Sequence, residues 1–303
     1  MHDRGRLLTE LRNDASTQID RMSIEDAITL LNGEDEKAVA AVGRARDQIS
    51  AATRLVVSSL RDGGRLIYVG AGTSGRLGVL DAAECPPTFL SDPKTVQGII
   101  AGGFEAMVRS IEGAEDDADA GKDAIIDKRI TSADVVMGIA AGGTTPFVHA
   151  ALIQARQCGA RTIFLTCVTS EHAAPEVDVT IRLLTGPEVI TGSTRMKAGT
   201  ATKLALNTIS TIAMVQLGKV YENLMVDLAD TCDKLRDRAA RIIMTLTDLP
   251  RDQAEQLLAS AGGRVKVALV MHARNIDKDQ AEELLAQDQG HLHRIVGRPK
   301  TED

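Results

Sequence analysis

Between residues 65 and 183, short apolar runs alternate with helical segments, and that alternation restricts the chain to few folds. The runs at 65–70, 96–101, 134–141, 161–166 and 179–183 read as buried strands. Helical spacing occupies 77–83, 105–126 and 146–159 between them. Strand and helix in turn predict a doubly wound α/β domain, a parallel sheet covered on both faces by right-handed crossovers.

Helices flank this region on both sides. Ala27, Ile28, Leu30 and Leu31, then Val39, Val42, Ile49, Leu55, Val56 and Leu60, fall at helical spacing. Asn32-Gly33 is expected to break the first run, and Asp62-Gly63-Gly64 to end the second. After the loop Thr185-Gly186-Pro187-Glu188, a long helix is expected from Met196 towards Leu217. Residues 251–259 nearly recur as 278–286, which reads as two similar helices of a C-terminal bundle, one recurrence being too few for a solenoid. The expected organisation is therefore 1–56 helical, 57–220 α/β and 221–303 a helical bundle.

Composition narrows the function. Lys and Arg number 35 against 42 Asp and Glu, a net charge of −7, and aromatic residues make up 2% with no Trp. Net acidity without stacking rings disfavours nucleic-acid binding. Cys85, Cys158, Cys167 and Cys232 form no CxxC pair and read as reduced, mostly buried thiols. The charged N-terminus lacks an apolar signal core, and no run reaches the roughly 18 apolar residues that cross a bilayer. A cytoplasmic protein is expected.

Three loops could carry chemistry. Gly70-Ala71-Gly72-Thr73-Ser74-Gly75 follows the first strand and opens a helix, matching GxGxxG literally. Thr73 and Ser74 can donate to an anion, and no acid follows the second strand to take a ribose. A compact phosphate on the helix N-terminus therefore fits better than a dinucleotide, the alternative being a tight turn with a Ser cap. The third strand runs into Gly142-Gly143-Thr144-Thr145-Pro146, so two loops at carboxyl ends of strands bracket a crevice. Gly192-Ser193-Thr194-Arg195-Met196-Lys197 places hydroxyls and two cations at a helix start, and reads equally well as a capped helix with solvated basic residues.

Longer strings carry a resemblance. Gly-Ala-Gly-Thr-Ser-Gly-Arg at 70–76 resembles the phosphosugar loop of the sugar isomerase (SIS) superfamily. Asp81-Ala82-Ala83-Glu84-Cys85-Pro86-Pro87-Thr88-Phe89, Glu112-Gly113-Ala114-Glu115-Asp116 and the stretch 186–197 are similar to one family within it, the N-acetylmuramic acid 6-phosphate etherases, relatives of the vertebrate glucokinase regulatory protein. Thr9-Glu10 with Arg12-Asn13, Asn32 with Glu34-Asp35, and Asn223-Leu224-Met225-Val226-Asp227 fit the same pattern, so the resemblance spans nearly the whole chain.

The resemblance implies an SIS-type fold and a homodimer. It implies cleavage of the D-lactyl ether of N-acetylmuramate 6-phosphate to N-acetylglucosamine 6-phosphate and D-lactate, in cell-wall recycling, by elimination and then hydration with no metal or organic cofactor. Glu84 matches the family's catalytic acid and Glu115 its second catalytic carboxylate. Gly72, Thr73, Ser74, Gly75, Gly142, Thr144 and Thr145 would hold the phosphosugar, with Ser193, Thr194 and Lys197 completing the pocket across a dimer interface. The chemistry explains the pair: one carboxylate removes the proton α to the C1 aldehyde, while the other, protonated, supplies the departing lactate oxygen.

One loop departs from the family. Where its pattern is Ala-Ser-Gly-Arg-Thr-Pro, this chain has Ala141-Gly142-Gly143-Thr144-Thr145-Pro146, so a serine hydroxyl and an arginine are missing. That departure bears on phosphate affinity and substrate range. Two other classes share these features. An SIS aldose–ketose isomerase would make a ketose and no lactate, and a non-catalytic phosphosugar sensor would bind without turnover. His149, His172 and His272 are isolated, and His291 with His293 has the wrong spacing for a helical metal pair and reads as surface. Met196, Met214, Met225 and Met271 fit apolar helical stripes and read as core.

Overall fold

A computed structural model of the chain describes residues 5, 7–170, 175–228 and 233–297. Cys232 and His172 lie outside the described residues. The elements run α1 (Ile24–Arg44), α2 (Arg46–Arg61), β1 (Leu66–Gly70), α3 (Gly72–Phe89), β2 (Val96–Ile100), α4 (Glu105–Val108), α5 (Ala118–Asp127), β3 (Val135–Ile139), α6 (Pro146–Gln157), β4 (Arg161–Thr166), β5 (Val179–Arg182) and α7 (Lys197–Gln216). They continue with α8 (Asp233–Thr247), α9 (Arg251–Ser260), α10 (Val265–Arg274), α11 (Lys278–Gln287) and α12 (Leu292–Val296).

The five strands form one parallel sheet in the order β2-β1-β3-β4-β5, the doubly wound architecture expected from the alternation. β1 and β3 are buried at every residue, whereas the edge strands β2 and β5 are only partly covered. Central strands sandwiched by helices have two dry faces, which is why they read as unbroken apolar runs. On one face Ile67, Val69, Val136 and Phe164 pack with Ile125, Phe147, Val148 and Leu152. On the other, Tyr68 donates to the buried Asp81 carboxylate, which also accepts from Asn207 (2.6 Å) and Ser210 (3.1 Å), tying β1 and α3 to α7.

Contacts divide the chain into two compact units, 1–83 with 93–211, and 84–92 with 212–303. In the second, α8 to α12 enclose a core that includes Ile243, Leu258, Val267, Val270 and Leu292. The recurring segments are α9 and α11, the latter opened by an Asp277–Gln280 capping box.

Several expectations need correction. α1 runs through Asn32-Gly33, because Glu34, Ala38 and Ala41 bury one stripe of the helix and outweigh the cost of a single exposed glycine. α3 is longer than the expected 77–83 and runs from Gly72 through Pro86-Pro87 to Phe89: the prolines fall in its last turns, and Leu90 N–H still closes on the Pro86 carbonyl at 2.9 Å. The single helix expected over 105–126 is α4, a 3₁₀ turn at Ala114–Asp116 and α5, interrupted by extended Arg109 and by Gly113 at φ +75°. His291 is buried at 9% exposure, its ring edge-on to His293, and so is not a surface residue. Cys85 and Cys167 are buried and Cys158 half-buried. Burial first, then the neighbouring Glu188 carboxylate, pushes the Cys167 thiol up to about 12.

Candidate active-site crevice

In this strand order the direction of winding reverses between β1 and β3. Open α/β sheets bind ligands at such a point, outside the carboxyl ends of the strands. A crevice of about 260 Å³ lies there, and both expected loops line it.

The loop after β1 turns into α3 with almost no room. A Cβ at Gly70 would lie 2.6 Å from Gly75 N, and one at Gly75 would lie 2.6 Å from Ile100 Cγ1 and 2.7 Å from Gly70 O. Their absence lets the strand end and the helix start touch, which leaves Gly72, Thr73 and Ser74 at the crevice. The first-turn N–H groups of α3 have no intrahelical acceptor, and with the helix dipole they favour an anion.

The loop after β3 is braced from behind. Ala141 O accepts from Cys167 N at 2.9 Å and from Thr166 Oγ1 at 3.2 Å. Gly143, at φ +75°, sits where a Cβ would lie 2.8 Å from Val168 Cγ2, and His149 Nε2 lies 2.8 Å from its carbonyl. Burial lowers the His149 pKa, so a neutral ring with Nε2–H donates that bond. Thr145 occupies the N-cap of α6 with Pro146 at the first helical position.

A third loop, 190–194, is fixed by its neighbours. The fully buried Glu188 carboxylate accepts from Lys197 N (3.0 Å) and Ala198 N (2.9 Å), which caps α7. Burial raises the Glu188 pKa against those two bonds. Lys197 is itself buried, its ammonium paired with the buried Glu34 carboxylate. Asn13 bridges Glu34 (2.9 Å) to the Pro187 carbonyl (3.2 Å), Ser16 Oγ donates to Val189 O (2.7 Å), and Gly192 N–H donates to Thr9 O (3.2 Å). The N-terminal segment thus becomes part of the crevice wall.

The structure gathers Gly72, Thr73, Ser74, Glu115, Gly142, Thr144, Thr145 and Thr194 around this space. Glu115 enters from the 3₁₀ turn, exposed, beside Asp116. Gly75, Ser193 and Lys197 are not on the wall. Gly75 serves close packing, Lys197 is committed to Glu34, and Glu84 lies exposed in a late turn of α3, in the second compact unit. Sequence reading assigned no role to Leu7, Glu10 and Asp116, which also line the crevice. The only signal for Glu10 was the Thr9-Glu10 string within the resemblance. Among the described residues, no group of three or more His, Cys, Asp or Glu side chains is arranged to hold a metal ion, and no helix is long and apolar enough to cross a membrane.

The family models agree with this geometry. Residues 48–156 match the glucokinase regulatory protein N-terminal SIS domain, and residues 118–211 match the SIS domain. Sheet, crevice and these matches define an SIS-domain protein. N-acetylmuramic acid 6-phosphate etherase of Nostoc punctiforme is 58% identical over 272 residues, covering 90% of this chain and 88% of that one. The Trichormus variabilis protein of the same name is 55% identical over 302 residues, covering 100% and 98%. The chain belongs to the N-acetylmuramic acid 6-phosphate etherase family. Among solved structures, phosphoheptose isomerase GmhA from Neisseria gonorrhoeae superposes with a TM-score of 0.49 at 15% identity, covering 63% of this chain and 98% of that chain.

Proposed function

We propose that this chain is a carbon–oxygen lyase that cleaves the D-lactyl ether of N-acetylmuramate 6-phosphate, giving N-acetylglucosamine 6-phosphate and D-lactate. The observation that carries the reading is Glu115 on the wall of a crevice that also presents the hydroxyls of Thr73, Ser74, Thr144, Thr145 and Thr194 and the starts of two helices, in a chain of this family. The phosphate sits against the N-termini of α3 and α6, held by backbone N–H groups and by Thr73, Ser74, Thr144 and Thr145. Thr194 closes the third side.

With the sugar ring open, Glu115 removes the C2 proton, which the C1 aldehyde acidifies. The C2 electron pair forms the C2=C3 bond as the C3–O bond breaks, and Glu84 delivers a proton to the lactate oxygen. Water then adds at C3 of the unsaturated aldehyde, Glu84 taking its proton while Glu115 returns one to C2. Each carboxylate contributes roughly 10²–10⁴-fold. Glu84 owes its place to the motif match. Ser193 and Lys197 support the loop that presents Thr194, and Gly75 sets the turn that presents Thr73 and Ser74. The domains follow the sequence division, 1–56, 57–220 and 221–303, and the protein works in the cytoplasm as a homodimer in N-acetylmuramate catabolism, without a cofactor.

Purified protein incubated with N-acetylmuramate 6-phosphate and assayed for D-lactate tests the reading. Lactate appearing with N-acetylglucosamine 6-phosphate supports it. A ketose phosphate without lactate assigns an isomerase, and binding without turnover assigns a sensor. Near-normal lactate release by Glu84→Ala or Glu115→Ala removes that residue from its role.

A further inference from the structure

The crevice wall carries a glutamate that this mechanism does not use. Glu10 lines the same space as Glu115, Thr73, Thr145 and Thr194. Its side chain is exposed, with Thr9 Oγ1 3.5 Å from Oε1, and the turn that carries it is held in place. Its own N–H and that of Leu11 donate to the Leu7 carbonyl at 2.8 and 3.2 Å, and Leu7 and Thr9 are buried at 4% and 1% exposure. The Thr9 carbonyl accepts from Gly192 N–H at 3.2 Å, so the turn carrying Glu10 is fastened to the far loop of the crevice. Gly192 leaves the carboxylate its room: a Cβ there would stand 3.1 Å from Glu10 Oε2.

A carboxylate is a liability in a site that binds only an anion, because like charges repel and an ionised carboxylate can only accept hydrogen bonds. Among the described residues that line the crevice, none is Lys or Arg. The carboxylate's presence makes sense for a ligand that pairs a phosphate with hydrogen-bond donors on the same molecule. A phosphorylated amino sugar does so, offering hydroxyls and an amide N–H. We propose that Glu10 is a specificity-determining residue that accepts hydrogen bonds from the hydroxyl or amide groups of the sugar, so that the crevice selects a phosphosugar over free phosphate. The inference deepens the etherase reading and rests on it for the identity of the sugar.

The test uses the full chain and Glu10→Gln and Glu10→Ala variants, with inorganic phosphate and N-acetylglucosamine 6-phosphate titrated separately by calorimetry. Losing hydrogen bonds to a charged acceptor should weaken sugar-phosphate binding about 10- to 100-fold. Phosphate binding should hold within about threefold or tighten as the like charge goes. A merely structural role would weaken both ligands equally. Equal weakening, a change below about twofold for the sugar phosphate, or no sugar-phosphate binding by the unaltered protein each overturn the proposal. Failure of the etherase reading shows separately, as absence of D-lactate from unaltered protein that still prefers the sugar phosphate over phosphate.

Discussion

Glu115 and Gly142 show how much rests on single side chains in this crevice. Glu115 reaches it from a 3₁₀ turn set by left-handed Gly113, and Asp117 immediately caps α5 through Ala120 N at 2.8 Å. Glu115→Gln keeps the shape and removes the base, so lactate release should fall about 10²- to 10⁴-fold while phosphate affinity holds, as a coupled lactate assay and calorimetry would show. At Gly142 the family serine is absent, yet there is space for it: a Cβ at this position would have Thr9 Oγ1 as its nearest neighbour, at 3.9 Å. Gly142→Ser should therefore fold normally and tighten inorganic phosphate about two- to tenfold through one added hydrogen bond. Looser binding in that variant would show that the crevice has no use for the hydroxyl.

At the scale of elements, two features separate local signals from packed outcomes. Asn32-Gly33 looks like a helix break, but the stripe of Glu34, Ala38 and Ala41 holds α1 together across it. Gly33 is exposed mid-helix with nothing within 4 Å of a Cβ, so Gly33→Ala should raise stability by about 0.5–1 kcal/mol in urea unfolding. The Glu34–Lys197 pair joins α1 to the start of α7. Burial alone would raise the Glu34 pKa, but hydrogen bonds from Lys197, Lys37 and Asn13 outweigh it and bring it to about 2. A carboxylate with a lowered folded pKa stabilises fully above its unfolded value, roughly 4.3, and loses that contribution as pH falls towards 2. The destabilisation caused by Glu34→Gln should accordingly be largest at neutral pH and shrink between about pH 4.3 and 2, measured by urea midpoints. A pH-independent difference would mean that the charge is not what the pair contributes.

On the scale of the whole molecule, Glu115 lines the crevice of the first compact unit, and Glu84 belongs to the second. In the proposed homodimer, a site can draw Glu84 from the neighbouring protomer. Light scattering should give twice the 32.3 kDa of one chain. Mixing inactive Glu84→Ala and Glu115→Ala proteins should then restore about a quarter of the activity, because half the dimers are mixed and each holds one intact site. No recovery after subunit exchange would require both carboxylates to come from one chain.

The strands and the doubly wound class were legible in the sequence because a buried central strand is apolar along its length, as 66–70 and 135–139 are, whereas the strand order came only from the structure. The two hydroxyl loops were legible for a related reason: glycine, threonine and serine directly after a strand are unfavourable unless a close turn and a helix start need them. Glu115 and Glu84 came from resemblance alone, since an acid in a charged run looks like any solvated residue. Glu10 on the crevice and the Glu34–Lys197–Asn13 network had no local signature, because the contacts that tie them to the rest of the fold span 21 to about 180 residues in sequence. Local chemistry fixes which backbone a segment prefers. Which charges become buried neighbours, and which carboxylates face a ligand, depends on the pairing of β1 with β3 at the switch point and on the N-terminal segment bonding to the 187–192 loop.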